Sequence, residues 1–351
     1  MKNSRRKTLK TLGVSGAALS LLGVNPLLSA CSSSSQKTSD TESDSNAAAS
    51  AATELFFNIS LAQWSLHRSF FGDAISSWDN FGKLWAESPD NVLRGELKPV
   101  DFPTIAKRDY GITAVEYVNV FYFSKKNDKQ FWYDLRKQCD EQGVKSLLIM
   151  CDREGNLGDT DEEARKQAVE NHYGWVDAAQ ILGCHSIRVN AAGNGTAEEV
   201  KAAAIDGLGQ LVSYSSQSGI SVIVENHGGY SSNGEWLASV IEGVGSKYCG
   251  TLPDFGNFCI EGHHGDCKEE YDKYQGVKEL MPYAKGVSGK THEFDAEGNE
   301  VNTDFVKMLQ IVKDSGFTGY IDIEYEGGGL SEPEGIKATK ALLEKAGKAV
   351  S

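Results

Sequence analysis

Residues 220–229 read ISVIVENHGG, an apolar and largely β-branched run that stops at three polar residues, Glu225, Asn226 and His227. A run of this kind is typical of a strand buried on both faces. Residues 249–257 repeat the form, because CGTL is followed at once by Pro253 and Asp254. The stretch therefore predicts neighbouring parallel strands that carry polar side chains at their carboxyl ends.

The same unit recurs along the chain from residue 55. Predicted strands cover residues 57–62, 112–118, 146–150, 186–189, 220–224, 249–252, 286–288 and 320–323. Helical patterns between or after them cover residues 131–142, 161–182, 197–217, 235–244, 303–313 and 332–348. Strands that alternate with helices form parallel βαβ units, and eight units in about 290 residues predict a (β/α)8 TIM barrel. An open doubly wound sheet is the second choice, disfavoured because no strand precedes a G-x-G-x-x-G turn.

Composition limits the class of protein. The chain has 351 residues, with 35 Lys and Arg against 49 Asp and Glu, and a formal net charge of −14. Its seven prolines and 37 glycines exclude a collagen-like or Pro-rich disordered chain. Nucleic-acid binding needs clustered Lys and Arg, so the acidic balance argues against nucleic acid as a partner.

The N-terminal segment has the form of an export signal. Residues 1–10 carry five Lys or Arg and no acid, and residues 12–28 are mostly apolar. The sequence LSAC at 28–31 resembles a lipobox, and SRRKTLK at 4–10 resembles a twin-arginine signal. A single membrane anchor is the alternative, disfavoured because Asn25 and Pro26 interrupt a short run.

We therefore expect three segments: a signal peptide at 1–30, a flexible tether at 31–54 and one catalytic barrel at 55–351. The tether is rich in Ser, Thr, Asp, Asn and Ala and has too little apolar surface to fold. Lipid on Cys31 would be the only link to a membrane, with the barrel facing the periplasm. The sequence leaves the choice of inner or outer membrane, and the oligomeric state, open.

Polar residues cluster where the predicted strands end, which is the active-site face of a TIM barrel. They are Gln63, Trp64, Glu116, Asn119, Asp152, Glu154, Asn190, Glu225, Asn226, His227, Asp254, Asn257, Lys290, His292, Glu324 and Glu326. Several carboxylates at one barrel mouth repel each other unless a cation lies among them. Oxygen-rich sites bind hard divalent ions, and an imidazole shifts the preference towards Mn, Co or Zn.

Six segments resemble a known family. They are SLAQWSL at 60–66, VEYVN at 115–119, LGCHSIRVN at 182–190, VENHGG at 224–229, LPDFGNF at 252–258 and GYIDIE at 319–324. Together they resemble the xylose isomerase-like TIM-barrel superfamily, specifically the sugar phosphate isomerase/epimerase group and its exported Bacteroidetes-type lipoprotein branch. The resemblance covers residues 58–346.

The resemblance implies one divalent metal ion, Mn, Mg, Co or Zn. Glu225, Asp254 and Glu324 match three of the four ligand positions of the superfamily. The fourth, a histidine, falls at Ser288 here, and His292 lies four residues further along the same strand face. We expect His292 to supply the imidazole; a site completed by water, or by Glu326, is the alternative.

The implied activity is a divalent-metal-dependent sugar isomerase or epimerase acting on a non-phosphorylated sugar or keto-sugar by enediolate proton transfer. Glu225 and Glu324 are the predicted catalytic residues. The predicted substrate-binding residues are Glu116, Asn190, His227, Asn257 and Lys290. Alternatives are a lyase or dehydratase on keto-sugars or 3-keto-glycosides, and a glycan-binding lipoprotein without catalysis.

Two structural interpretations compete with these assignments. The three acids could form a salt-bridge ring at the barrel mouth, which is disfavoured because no Arg cluster lies nearby in sequence. Residues 259–267, with a cysteine at each end, could form a zinc knuckle, but their spacing fits a surface loop better.

A metal-dependent phosphodiesterase or endonuclease is a further alternative activity. It is disfavoured by the acidic net charge and by the small number of histidines, seven in the whole chain, available as ligands.

Overall fold

The computed structural model describes residues 54–263 and 265–351. The predicted signal peptide, Cys31 and nearly all of the predicted tether lie outside the described residues. Within the described part of the chain, no helix is both long enough and apolar enough to cross a membrane.

Eight parallel strands form the central sheet. They are β1 (Asn58–Ala62), β2 (Ala114–Val118), β3 (Lys145–Met150), β4 (Ser186–Val189), β5 (Ser221–Glu225), β6 (Cys249–Leu252), β9 (Val287–Thr291) and β10 (Tyr320–Tyr325). Their order in the sheet is β6-β5-β4-β3-β2-β1-β10-β9. Parallel bridges from Thr251 to Ala284 and from Asp254 to Ser288 join the β6 edge to the β9 edge. The sheet therefore closes on itself, which confirms the predicted TIM barrel.

Helices surround this sheet. They are α1 (His67–Phe71), α2 (Trp78–Glu87), α3 (Phe102–Tyr110), α4 (Lys129–Gln142), α5 (Glu162–Leu182), α6 (Ala197–Ser215), α7 (Gly234–Val244), α8 (Lys273–Leu280), α9 (Phe305–Asp314) and α10 (Glu332–Val350). The sequence patterns did not predict α1, α2, α3 or α8. The predicted helices agree with α4 to α7, α9 and α10 within about two residues at most ends, as is usual for helix boundaries.

Alternation along each strand separates the core from the barrel interior. On β10, Ile321 and Ile323 are fully buried in the apolar core, whereas Asp322 and Glu324 point the other way. On β9, a Cβ placed on Gly289 would contact Leu343 of α10, so Ser288 and Lys290 on either side face inwards. Side chains two residues apart share a face of a strand, and this places rows of polar residues inside the barrel.

Two further strands form a hairpin outside the barrel. β7 (Cys259–His263) pairs antiparallel with β8 (Asp266–Glu270). A disulfide joins Cys259 and Cys267, and Cys139, Cys151, Cys184 and Cys249 are free and buried. The segment is therefore not a zinc knuckle but an exposed hairpin at the surface, where a surface loop was expected. Its two cysteines bond to each other, with their Cα atoms 5.7 Å apart.

Candidate active site

Four charged side chains meet at the carboxyl ends of neighbouring barrel strands. Glu225 is the last residue of β5, Asp254 lies two residues past β6, Lys290 is in β9 and Glu324 is in β10. Each is at most 3% exposed. Lys290 and Glu324 are direct neighbours in the β9–β10 register, and the Asp254–Ser288 bridge brings Asp254 beside them. The barrel therefore brings together three acids that are spread over about 100 residues of sequence.

Lys290 lies among three carboxylates. Its Nζ is 3.3 Å from Oδ2 of Asp254, 3.3 Å from Oε1 of Glu324 and 3.5 Å from Oε1 of Glu326. Burial alone lowers the pKa of Lys290, but these carboxylates outweigh burial and hold the pKa well above its ordinary value. Lys290 is therefore a permanently charged ammonium at the base of the site.

Arg188 of β4 is the second buried cation. Its Nη1 is 2.8 Å from Oδ1 of Asp152, and its Nε is 2.7 Å from Oε2 of Glu225. The other oxygen of Glu225 accepts a hydrogen bond of 2.9 Å from Nδ2 of Asn257. Burial raises the pKa of Asp152, but the Arg188 guanidinium more than offsets this, and the pKa falls to about 2. Glu225 is thus held by a guanidinium on one side and an amide on the other.

Two carboxylates of β10 and the loop after it have opposite pKa shifts. Burial, with the nearby charges of Glu225, Glu326 and Asp254, raises the pKa of Glu324 to about 8, although Lys290 opposes the shift. Burial also raises the pKa of Glu326, but Lys290 and His292 reverse this and lower it below its ordinary value. Neighbouring acids with separated pKa values are typical of sites that both accept and donate protons.

A further carboxyl pair lies one layer deeper in the barrel. Ser60 donates a hydrogen bond of 2.7 Å to Oε1 of Glu116, and the backbone N–H of Gly289 donates to Asp322. Burial raises the pKa of Glu116 to about 7 and the pKa of Asp322 well above its ordinary value. The two carboxyl groups are neighbours, and the charge of Glu116 adds to the raised pKa of Asp322. Glu116, predicted to bind substrate, is 1% exposed and lies below the cavity.

Two connected cavities open above these groups. The larger, of about 960 Å³, is bordered by Asn257, Lys290 and His292 and by both cysteines of the hairpin. The smaller, of about 300 Å³, has an aromatic wall and reaches Arg188 and Glu324. That wall consists of Trp64, Phe71, Trp78 and Phe81. Trp78, His227 and Glu326 border both cavities, which makes them parts of one divided cleft.

The structure places the remaining predicted residues in distinct positions. His227 is exposed at the junction of the two cavities, where a bound molecule could reach it. Asn190 donates a hydrogen bond of 3.0 Å to Asp152 and borders a neighbouring cleft with Glu154. Asn257 combines both roles, because it lines the larger cavity and holds Glu225.

The expected metal-ligand set is not assembled. His292 follows the last residue of β9, and its Nε2 is 3.6 Å from Oε2 of Glu326. At the strand position implied for a histidine, Ser288 donates a hydrogen bond of 3.0 Å to Oε2 of Glu324. The described residues contain no group of three or more His, Cys, Asp and Glu side chains arranged to hold a metal ion.

The charges around Glu225, Asp254 and Glu324 explain why these acids do not form a metal site. The ammonium of Lys290 takes the position between Asp254 and Glu324 that a divalent ion would need, and Arg188 neutralises Glu225. A second cation at that position would be repelled by Lys290. The residues present therefore do not fit the implied metal ion. No Arg cluster lies near the three acids in sequence, but the barrel brings Arg188 and Lys290 to them from other strands, as the salt-bridge interpretation requires.

Sequence reasoning missed the roles of Arg188 and Asp322, although a signal for both was present. Arg188 interrupts the apolar strand at 186–189 and shares its face with Ser186 and Asn190. Asp322 shares its face with Glu324 by the same two-residue period. An isolated charge within a buried strand indicates a residue that faces the barrel interior.

A family model described as "Xylose isomerase-like TIM barrel" matches residues 106–346. The chain therefore belongs to this family. A search of curated proteins gives no significant sequence match.

Solved structures resemble the chain in fold. A D-tagatose 3-epimerase-like protein is 19% identical with a TM-score of 0.57, covering 84% of this chain and 98% of its own. An L-ribulose 3-epimerase is 12% identical with a TM-score of 0.60, covering 84% and 95%. The IOLI protein, solved with a bound zinc atom, is 13% identical with a TM-score of 0.59, covering 84% and 99%. At these identities the likeness concerns the fold alone.

Proposed function

We propose that this protein is a sugar isomerase or epimerase. It removes and returns a proton at the carbon next to the carbonyl group of a non-phosphorylated sugar or keto-sugar. The observation that carries the proposal is the arrangement of Glu225 and Glu324 at the carboxyl ends of the strands: Glu324 lines the smaller cavity, and Glu225 lies directly behind Arg188 and Asn257, which line the two cavities. Glu225 and Glu324 lie on β5 and β10, three strands apart around the barrel, and each is beside a buried cation. Family membership and the names of two structural neighbours support the reaction class.

Proton transfer follows from this arrangement. One carboxylate takes the proton from the carbon next to the carbonyl, and the C–H electron pair forms the enediolate double bond while the carbonyl oxygen becomes negative. The opposite acid then returns a proton. Return to the other face of the same carbon gives an epimer. Return to the former carbonyl carbon gives an isomer, while the proton of the neighbouring hydroxyl group passes to the former carbonyl oxygen. Glu324, with a pKa of about 8, can act as acceptor or donor near neutral pH.

The charge of the cleft argues for an unphosphorylated substrate. Glu270, Glu293, Glu300 and Glu326 border the larger cavity, against Lys273 and Lys290. A phosphate dianion would be repelled by this surplus of acids, whereas neutral hydroxyl groups can donate hydrogen bonds to them.

A lyase acting on 3-keto-glycosides is the second candidate, favoured by the divided cleft. Cavities of about 960 and 300 Å³ meeting at Trp78 and His227 have room for a sugar ring and a second group attached to it. The first step, removal of a proton next to a carbonyl, is the same. The enolate electrons would then re-form the carbonyl and make a C=C bond as the C–O bond to the attached group on the neighbouring carbon breaks. The abstracted proton would pass to the departing oxygen instead of returning to carbon.

The test is solvent hydrogen exchange followed by NMR. The full chain is incubated in D2O with free aldoses, ketoses and 3-keto-glycosides, and loss of individual C–H signals is recorded. We expect exchange at a carbon beside a carbonyl, together with an epimer or isomer; an eliminated fragment would favour the lyase. Glu324→Gln should lower the rate about 100-fold to 10,000-fold. Glu269→Gln, an exposed acid of the hairpin, is the matched control and should not change it.

Absence of exchange on the whole panel, with binding of a sugar retained, would instead indicate a glycan-binding protein. Equal rates for wild type and Glu324→Gln would remove Glu324 from the mechanism. Both outcomes would contradict the proposed function.

We also propose that the protein is an exported lipoprotein anchored through Cys31. The Cys259–Cys267 disulfide supports an oxidising compartment, because such bonds are rare where thiols are kept reduced. Cys31→Ser should leave the protein unlipidated and release it from the membrane fraction, or leave it unprocessed. Unchanged mass and unchanged membrane fractionation would contradict the anchor.

A further inference from the structure

The base of the cleft contains a cation supplied by the chain itself. Lys290 is 3% exposed, and its Nζ lies within 3.5 Å of carboxylate oxygens of Asp254, Glu324 and Glu326. These acids come from the loop after β6, from β10 and from the loop after β10. The ammonium of Lys290 is therefore surrounded by carboxylates from three separate segments of the chain.

The other residues that could bind a metal ion at this position are occupied by other interactions or lack a suitable ligand atom. Ser288, on the same face as Lys290, donates its hydroxyl to Glu324 and supplies no imidazole. Oδ1 of Asp254 accepts hydrogen bonds of 2.7 and 2.8 Å from the backbone N–H groups of Gly256 and Asn257. Oδ2 accepts no hydrogen bond, and its charge is balanced by the ammonium of Lys290 at 3.3 Å. Glu225 is held by Arg188. Each acid that a divalent ion would need is already paired.

We propose that the Nζ ammonium of Lys290 permanently takes the place of the divalent metal ion in this site and stabilises the oxyanion of the substrate. Stabilisation of the substrate oxyanion rests on the proposed function. The replacement of the metal ion by Lys290, paired with three acids, does not depend on it. Lys290 also borders the larger cavity, so its ammonium can face a bound carbonyl oxygen. A fixed positive group beside a developing oxyanion performs the electrostatic role of a metal ion.

The first test measures metal and stability without any substrate. Wild-type full chain, Lys290→Met and Lys285→Met are purified, and each is analysed for bound metals and melted with EDTA or with millimolar Mn²⁺. Lys285 is the matched control, a partly exposed lysine that bonds a backbone oxygen of Lys247. We expect wild type and Lys285→Met to carry well under one ion per chain and to melt at the same temperature in both solutions.

Lys290→Met leaves three acids without their cation. We expect it to melt at a lower temperature in EDTA and to recover part of that loss in Mn²⁺, because a divalent ion can then enter. One tightly bound ion per wild-type chain, removed by EDTA with a fall in melting temperature, would overturn the proposal. So would an equal response of wild type and Lys290→Met to Mn²⁺. The wild-type result decides the question even where Lys290→Met does not fold.

The second test separates this inference from the proposed function. Solvent exchange on the active sugar should be unchanged by EDTA in wild type and lowered about 100-fold or more in Lys290→Met, the size expected for removing one group that stabilises an oxyanion. Exchange that requires added metal would overturn the inference and leave the proposed function intact. Metal-free, stable wild type without exchange on any sugar would overturn the function and leave the pairing of Lys290 intact.

Discussion

Replacing Arg188 by Met tests whether the site is held by internal ion pairs. Arg188 is 4% exposed and bridges Asp152 and Glu225 at 2.8 and 2.7 Å. Met keeps most of the apolar stem but removes the guanidinium. Glu225, 1% exposed, would then keep only the amide of Asn257 as a partner.

The expected cost follows from this burial. Removing one member of a buried ion pair costs about 3–5 kcal/mol, because the remaining charge stays buried without compensation. The described barrel has about 300 residues, and an unfolding entropy of about 2.1 cal/mol/K per residue gives roughly 0.6 kcal/mol/K. Arg188→Met should therefore lower the melting temperature by roughly 5–8 °C.

The assay is thermal and urea unfolding of Arg188→Met, Glu225→Gln and the double variant. The double variant should recover much of the lost stability, since replacing both members of a buried pair leaves no unpaired charge. Arg165→Met is the matched control: Arg165 pairs with Asp206 at the same 2.7 Å, but Asp206 is 47% exposed. This control should lose no more than about 1 kcal/mol.

Two results would refute the reasoning. A loss below about 1 kcal/mol in Arg188→Met would mean that Glu225 does not depend on the guanidinium. Simple addition of the two single losses in the double variant would mean that Arg188 and Glu225 do not interact.

Two further predictions concern pH and backbone packing. Burial lowers the pKa of His172 to about 4, so the folded protein contains the neutral imidazole near pH 7. The unfolded chain takes up a proton at about pH 6.5, so the free energy of unfolding should fall by roughly 3 kcal/mol as the pH drops from about 6.5 to 4. His172→Gln should reduce that acid-side slope in urea unfolding across this range, and an unchanged slope would contradict the assignment. Gly327→Ala should lower the melting temperature, because its Cβ would lie 1.6 Å from the carbonyl oxygen of His292. Gly328→Ala, whose Cβ meets nothing within 4 Å, should melt like wild type, and equal melting of both variants would contradict the argument.

The barrel itself could be read from the sequence because its signals are local. Short apolar strands, such as residues 220–224, alternate with amphipathic helices such as 161–182, and both periods depend on side chains near each other in the chain. The helices α1, α2, α3 and α8 were not predicted. Three of them lie in the long connection between β1 and β2, where several short 3-10 turns break the helical pattern.

The face of each strand was also readable from a two-residue period. Glu225, Asp254 and Glu324 were expected at one end of the barrel, and the structure brings them together there. The period places Lys290 on the same face as Ser288 but says nothing about which long side chain reaches the centre. The sequence therefore determined the eight barrel strands and six of the helices, and which residues point inwards at the strand ends.

Only the closed barrel decided which charges pair. Lys290 meets Asp254 and Glu324 because β9 is hydrogen-bonded to β10 on one side and bridged to the β6 loop on the other. His292 follows the last residue of β9 and is 3.6 Å from Glu326, which no local pattern indicates. Arg188 reaches Glu225 across neighbouring strands 37 residues apart in sequence. Such pairings depend on distances between side chains that strand order, register and closure of the sheet set together, and a linear sequence contains these only implicitly.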